Sequence, residues 1–210
     1  MKTQNIVFKL SIFAFLITLI IPSVSIAQND SLSNKPKYGI KFRAGGRYDN
    51  VRMCVASPPE TKGGIAADIS IFMEFKLSPK SVAHIDIPIF RPILFGFAFE
   101  MLQFEPTATL KYRKFLSSKT DLKAGPLLGV SLHYGPDYNS EAKGIKRTES
   151  FFAMGPIIGA YFGFEFKNAS KKRSFEIGIT PYAEALYGIN DPANHQGYVF
   201  GGLLDFTINY

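Results

Sequence analysis

The sequence predicts an all-β protein, an eight-stranded antiparallel up-and-down β-barrel that crosses a membrane, with a ten-stranded barrel as the alternative. Three observations carry this expectation. From Lys37 onward, apolar and polar side chains alternate with a period of two, which is the period of an extended strand. One face of each segment is apolar and aromatic, while the other is charged or small, which is the pattern of a wall with lipid outside and a polar interior. The connections between segments alternate between short and long, as in barrels with tight turns at one end and larger loops at the other.

The segments follow in order. In 37–48, Tyr38, Ile40, Phe42, Ala44 and Tyr48 oppose Lys41, Arg43 and Arg47. In 64–77, Ile65, Ala67, Ile69, Ile71, Met73 and Phe75 oppose Asp68, Ser70, Glu74 and Lys76. In 82–91, Ala83, Ile85, Ile87 and Ile89 oppose His84 and Asp86. In 104–115, Phe104, Ala108, Leu110 and Tyr112 oppose Glu105, Thr107, Thr109, Lys111 and Arg113. Segment 121–134 sets Leu122, Ala124, Leu128, Val130, Leu132 and Tyr134 against Lys123, Gly125, Gly129, Ser131 and His133. Segment 151–166 sets Phe152, Met154, Ile158, Phe162, Phe164 and Phe166 against Gly155, Gly159, Tyr161, Gly163 and Glu165. Segment 174–188 sets Phe175, Ile177, Ile179, Ala183 and Tyr187 against Glu176, Thr180, Tyr182 and Glu184.

The eighth segment, GYVFGGLLDFTINY from Gly197 to Tyr210, is the clearest. Tyr198, Phe200, Leu204, Phe206, Ile208 and Tyr210 share one face. Phe206, Ile208 and Tyr210 form the closing aromatic strand that an assembly machinery would grip. Only Ile93–Gln103 resists the pattern. It falls where a loop is due, yet it is apolar and punctuated by Pro92 and Gly96. Long third and fourth strands joined by a tight turn near 95–100 are the preferred reading, with a small apolar lid as the alternative.

The N-terminus reads as an export signal. Lys2 and Lys9 precede the largely apolar stretch Leu10–Ile21, and Ser25-Ile26-Ala27 supplies the small-residue cleavage pattern. The apolar stretch is shorter than the ~20 residues a spanning helix needs. The expected organisation is therefore a signal peptide over 1–27, a flexible lead over 28–36 and a barrel over 37–210. The length of 210 residues suits a single domain. The net charge of +7 suits anionic lipid head groups or an ordinary solvated surface better than nucleic acid, which an exported chain rarely meets. Cys54 is the only cysteine, so no intrachain disulfide forms. Twenty Phe, ten Tyr and no Trp leave Tyr and Phe to build any aromatic girdle.

Two stretches carry a resemblance. Leu102–Arg113, LQFEPTATLKYR, places an acid and a proline ahead of an apolar run ending in Lys-Tyr. Leu122–Leu132, LKAGPLLGVSL, follows with Ala-Gly-Pro and a later glycine, and Gly155-Pro156 with Gly159 repeats that spacing. Both resemble strands of the small outer-membrane β-barrel family of Bacteroidota, of the PorT-like kind. The resemblance implies an outer-membrane barrel of a diderm bacterium and implies no activity.

An eight-stranded barrel has a lumen about filled by side chains. The phase turns Lys41, Arg43, Arg47, Lys76, Lys111, Arg113 and Lys123 inward, against Asp68, Glu74, Asp86, Glu105, Glu165, Glu176, Glu184 and Asp205. Such near balance predicts an ion-pair network that plugs the lumen, because unpaired buried charges are very costly. Inward glycines such as Gly125, Gly129, Gly155 and Gly159 are expected to make room for long Arg and Lys side chains and to ease strand curvature.

No catalytic, cofactor-binding or metal-binding residue is expected. Ser131 and His133 lie two apart on one inward face, with backbones about 6.6–6.8 Å apart, too far for a ready Ser–His hydrogen bond. A lipid-modifying enzyme would need such groups on the lipid side. His84 beside Asp86 reads as part of the core network, and His84, His133 and His195 lack the spacing of a metal site. Gly45-Gly46 and Gly63-Gly64 make no phosphate loop. Asn168-Ala-Ser170 matches a glycosylation sequon in a turn expected to face the periplasm.

The loop Gly135–Ser150 is the best contact candidate, through Tyr138, Lys143, Lys146 and Arg147. The expected partners are outer-membrane lipid and lipopolysaccharide, the barrel-assembly machinery during insertion, and a protein partner at the outer loops. A structural or interaction role is the preferred function, with a small pore or transporter as first rival and a lipid-modifying enzyme as second.

Overall fold

The computed structural model describes residues 36–49, 63–97, 102–135, 151–168, 173–188 and 197–209. The signal segment, the lead over 28–35, Cys54, His195, Tyr210 and the loop residues Tyr138, Lys143, Lys146 and Arg147 lie outside them. The described strands are β1 (Lys37–Asp49), β2 (Gly64–Ser78), β3 (Ser81–Pro88), β4 (Leu102–Phe104), β5 (Thr107–Phe115), β6 (Thr120–Gly135), β7 (Phe151–Lys167), β8 (Ser174–Gly188) and β9 (Gly197–Asn209). Each pairs antiparallel with its neighbours, and β1 pairs both β2 and β9, so the sheet closes on itself.

The ring has eight staves although it is written as nine strands. β4 and β5 both pair with β6 and in one continuous register, Phe104 opposite Leu132 and Thr107 opposite Gly129. Pro106 interrupts the ladder between them because it has no N–H to donate. Its carbonyl still accepts from Val130 N at 3.2 Å. The fourth predicted segment is thus one strand with a proline break.

The predicted joint between the third and fourth strands is different. β3 stops at Pro88, and a helix, α1 (Phe90–Phe97), replaces the tight turn expected near 95–100. Pro88 still pairs with Ser70, and Ile89 N donates to Ile69 O at 2.8 Å. Pro92 then falls in the first turn of the helix, where its missing N–H has no intrahelical partner to lose. Ile93 N donates to Ile89 O at 3.1 Å, and α1 packs beside β2 and β4.

The end of the barrel where β1 starts and β9 finishes will be called the near mouth. The joins β2–β3, β5–β6 and β7–β8 all sit there, and all are short. α1 lies at the far mouth.

The faces alternate as a membrane barrel requires. Ile71, Leu128, Ile158, Phe162, Phe164, Ile179, Phe200 and Leu204 are exposed on the outer wall. Their neighbours along the strands point inward and are buried or half-buried. An aqueous exterior would oppose this arrangement, since apolar area costs about 25 cal/mol per Å2 in water; hydrocarbon removes that cost.

Candidate functional site

The lumen holds most of the chain's unusual chemistry. Lys41, Arg43, Arg47, Asp68, Glu74, Asp86, Glu105, Lys111, Lys123, Glu165, Glu176, Glu184 and Asp205 are all buried there, and Arg113 is mostly so. Lys76 is the exception. It shares the inward phase of Glu74 but is exposed at the end of β2, where the pairing with β3 slips. Phase assigns a face and says nothing of depth, and a lysine at the mouth reaches water.

Register explains why the near half needs so many cations. Asp121 lies opposite Glu165 across β6 and β7, and Glu165 lies opposite Glu176 across β7 and β8. Three acids therefore stand side by side on three strands, which is repulsive unless answered. Lys123 Nζ answers from the middle, 2.8 Å from Glu176 Oε2 and 3.3 Å from both Glu165 Oε2 and Glu74 Oε2. Lys111 pairs with Glu176, and Arg113 Nε pairs with Asp121. Lys167 Nζ reaches Asp121 Oδ2 at 2.6 Å, and Ser174 Oγ donates to Glu165 Oε1 at 2.6 Å.

The middle of the lumen is arranged around an aromatic. Tyr161 is buried, with Lys111 Nζ 4.2 Å from its ring centroid and Lys41 Nζ at 5.9 Å. Lys41 Nζ also donates to Asp86 Oδ2 at 2.7 Å. His84 lies between two acids, Nδ1 at 3.5 Å from Glu74 Oε2 and Nε2 at 3.2 Å from Asp86 Oδ1, and its ring stacks on Phe72 at 4.6 Å. Arg43 sits opposite Asp68 on β2 and Asp205 on β9 and donates to Ser70 Oγ at 2.6 Å.

The glycines serve aromatics here rather than cations. A Cβ at Gly178 would run into the Tyr161 ring and one at Gly201 into the Tyr182 ring, while one at Gly39 would meet Ile208 O first and then the Phe72 ring. At Gly125, Gly129, Gly155 and Gly159, a Cβ would first strike a backbone carbonyl of the next strand. Those four positions let adjacent strands close in; they do not clear space for Arg or Lys.

The far half is built differently. Leu127, Ile157, Leu186, Val199 and Leu203 form an apolar layer inside the lumen with Ala66, Ala153 and Tyr182. The cavity beside this layer measures only about 10 Å3. At the same level, where Val199 stands opposite both Asp49 and Glu184, Arg47 reaches Asp49 Oδ2 at 2.5 Å and Glu105 Oε1 at 3.0 Å. Arg91 of α1 reaches Glu105 Oε2 at 3.0 Å and Asp68 Oδ2 at 3.6 Å, so the helix is pinned to the lumen by one guanidinium. His133 Nε2 lies 3.2 Å from Glu105 Oε1 and 3.7 Å from Glu184 Oε2.

Ser131 Oγ donates to Glu184 Oε2 at 2.8 Å, and both Ser131 and His133 are fully buried. The serine is thus committed to a carboxylate and has no face on lipid. Glu105, His133 and Glu184 come within 4.8 Å of one another, a spacing a divalent cation accepts. Two guanidinium groups already hold Glu105, however, and a cation there would meet their charge.

Sequence reasoning left several members out. Asp49 has the phase of Arg47 and Asp121 that of Lys123, so alternation alone would have placed both. The apolar lumen layer was equally readable in Leu127, Ile157 and Leu203. Arg91 carried no such signal, because it sits on a helix.

No protein-family model matches the sequence, and no curated protein matches it. Among solved structures the chain is similar to Neisserial surface protein A, at a TM-score of 0.57 and 9% identity over 83% of this chain and 95% of that one. A Pseudomonas aeruginosa FadL homologue aligns at a TM-score of 0.30 and 10% identity, over 73% of this chain and 46% of that one. By fold, the chain is an eight-stranded antiparallel membrane barrel with an apolar outer wall and a lumen packed with paired charges.

Proposed function

We propose that the chain is an exported outer-membrane protein whose barrel is a closed scaffold, serving a structural or interaction role through its outer loops. One observation supports this above the rest: charged side chains from every stave meet in the lumen as buried, mutually paired groups, with an apolar cluster among them. A conducting pore favours open water and one dominant sign of charge. The likeness in fold to a Neisserial surface protein and the export signal in the sequence favour the outer membrane. The family of small Bacteroidota barrels of the PorT-like kind fits the same picture.

The role is non-enzymatic in this reading, since Ser131 and His133 are committed to lumen acids. Contacts with lipopolysaccharide phosphates or a protein partner fall to Tyr138, Lys143, Lys146 and Arg147, and recognition by the assembly machinery falls to Phe206, Ile208 and Tyr210.

Single-channel recording in planar bilayers tests the scaffold. The purified barrel should insert without conductance steps. Stable, reproducible steps would overturn the closed lumen and favour a pore.

A further inference from the structure

The two acids of β8 have opposite surroundings. Glu176 faces Glu165 on β7 and Thr207 on β9, and both Lys111 and Lys123 pair with it. Glu184 faces Ile157 on β7 and Val199 on β9, two buried members of the apolar cluster. Its side chain is fully buried. Among the described residues, the one basic group paired with it is His133, whose Nε2 lies 3.7 Å from Glu184 Oε2 but 3.2 Å from Glu105 Oε1. The guanidinium groups nearby turn to other acids. Arg47 holds Asp49 and Glu105, and Arg91 holds Glu105 and Asp68.

Hydrogen bonding divides the same way. Glu184 Oε2 accepts from Ser131 Oγ at 2.8 Å, while Glu184 Oε1 is buried without a hydrogen-bond partner. Two further buried hydroxyl oxygens without a partner, Thr107 Oγ1 and Tyr182 Oη, belong to residues that line the same small cavity as Glu184. An ionised carboxylate here would keep its charge between two hydrocarbon side chains, with one neutral donor and a second acid, Glu105, close by. That is very costly, and a buried carboxyl without a cation takes up a proton instead. Protonation turns Oε1 from an orphaned acceptor into a donor, and the Thr107 and Tyr182 oxygens on the same cavity are acceptors.

We infer that Glu184 is a proton-binding site: at neutral pH the folded barrel holds it as a neutral carboxylic acid, with the proton on Oε1 and the Ser131 hydroxyl on Oε2. The charged and titratable groups around it are His133 of β6, Arg47 and Asp49 of β1, Glu105 beside Pro106 and Tyr182 of β8 itself, while β7 and β9 present Ile157 and Val199. The site rests on the buried lumen alone, whichever partner the outer loops engage.

Infrared difference spectroscopy of the refolded barrel at neutral pH reads this proton directly. Subtracting the spectrum of Glu184→Gln from that of the parent should leave the carbonyl stretch of a protonated carboxyl, and the band should shift in heavy water. Glu184→Gln keeps the shape and a donor, so it should refold with the urea midpoint of the parent. Glu105→Gln removes charge from between two guanidinium groups and should lower that midpoint. As pH rises, the parent should lose stability relative to Glu184→Gln, because only the parent takes up this proton on folding. If Glu184→Gln does not refold, carboxyl carbon shifts of the parent carrying isotope-labelled glutamate decide the matter: the glutamate in contact with Ile157 and Val199 should stand at the neutral-acid position. The inference is overturned if that carboxyl is ionised by either measurement, which is the result expected of a charged His133 imidazolium paired with a Glu184 carboxylate.

Discussion

Lys123 is the residue on which the near half of the lumen turns. It contacts three carboxylates on three other staves from a fully buried position. Lys123→Met keeps its length and removes its charge, so Glu165 and Glu176 would face each other across the ladder with one cation fewer. Removing one partner from a buried network typically costs about 3–5 kcal/mol, because the remaining charges stay uncompensated. Urea unfolding of the refolded variant in lipid vesicles should show that loss; unchanged stability would mean that water enters the near half. Gly178 tests the steric side of the same region. All the nearest atoms to a Cβ placed there belong to Tyr161. Gly178→Ala should cost about 1–3 kcal/mol by overpacking. In a Tyr161→Leu background the same change should cost far less, and a double-mutant cycle measures the coupling.

A strand in this barrel is specified by alternation, and depth along it sets the energetic consequence. Leu204 lies in the middle of β9, exposed on the outer wall between Ala44 and Ile179, whereas Ile208 lies near its end. Leu204→Arg should destabilise by about 2–4 kcal/mol and Ile208→Arg by about 0–1 kcal/mol, the depth dependence of a lipid-facing cation. Equal effects at the two positions would place the hydrocarbon belt elsewhere. α1 follows another rule. Its apolar composition made Ile93–Gln103 look like strand, because a short apolar run reads the same in either structure. Pro92 is compatible with the helix, because a first-turn residue has no intrahelical N–H bond to lose. Arg91 then ties the helix to Glu105 and Asp68, two residues that no local pattern links to it.

Taken together, the barrel is asymmetric along its axis. The far half mixes an apolar cluster with the charges around Arg47 and Glu105 and carries a short helix, while the near half is polar and adjoins a cavity of about 350 Å3. A lumen filled by buried side chains accords with the absence of conductance expected in planar bilayers. Buried ion pairs are poorly screened by salt. The urea midpoint of the parent should therefore move little between low and high ionic strength. A large salt dependence of the unfolding midpoint would show the lumen network to be hydrated.

Alternation in the sequence settled the fold class, the staves, the outer wall and nearly all of the lumen charges, because a period of two is a local property that each strand carries by itself. Asp121 and Asp49 were legible by that same period. Which charge meets which was not legible. The acidic row Asp121–Glu165–Glu176 arises from register between three strands, and the Tyr161 and Tyr182 seats depend on glycines contributed by other positions in the ring. The cation-lined near mouth likewise gathers Lys37, Arg113, Lys167 and Arg173 from four separate stretches of chain. Only closure of the sheet brings such residues together, since pairing register is a relation between strands and no single strand encodes it.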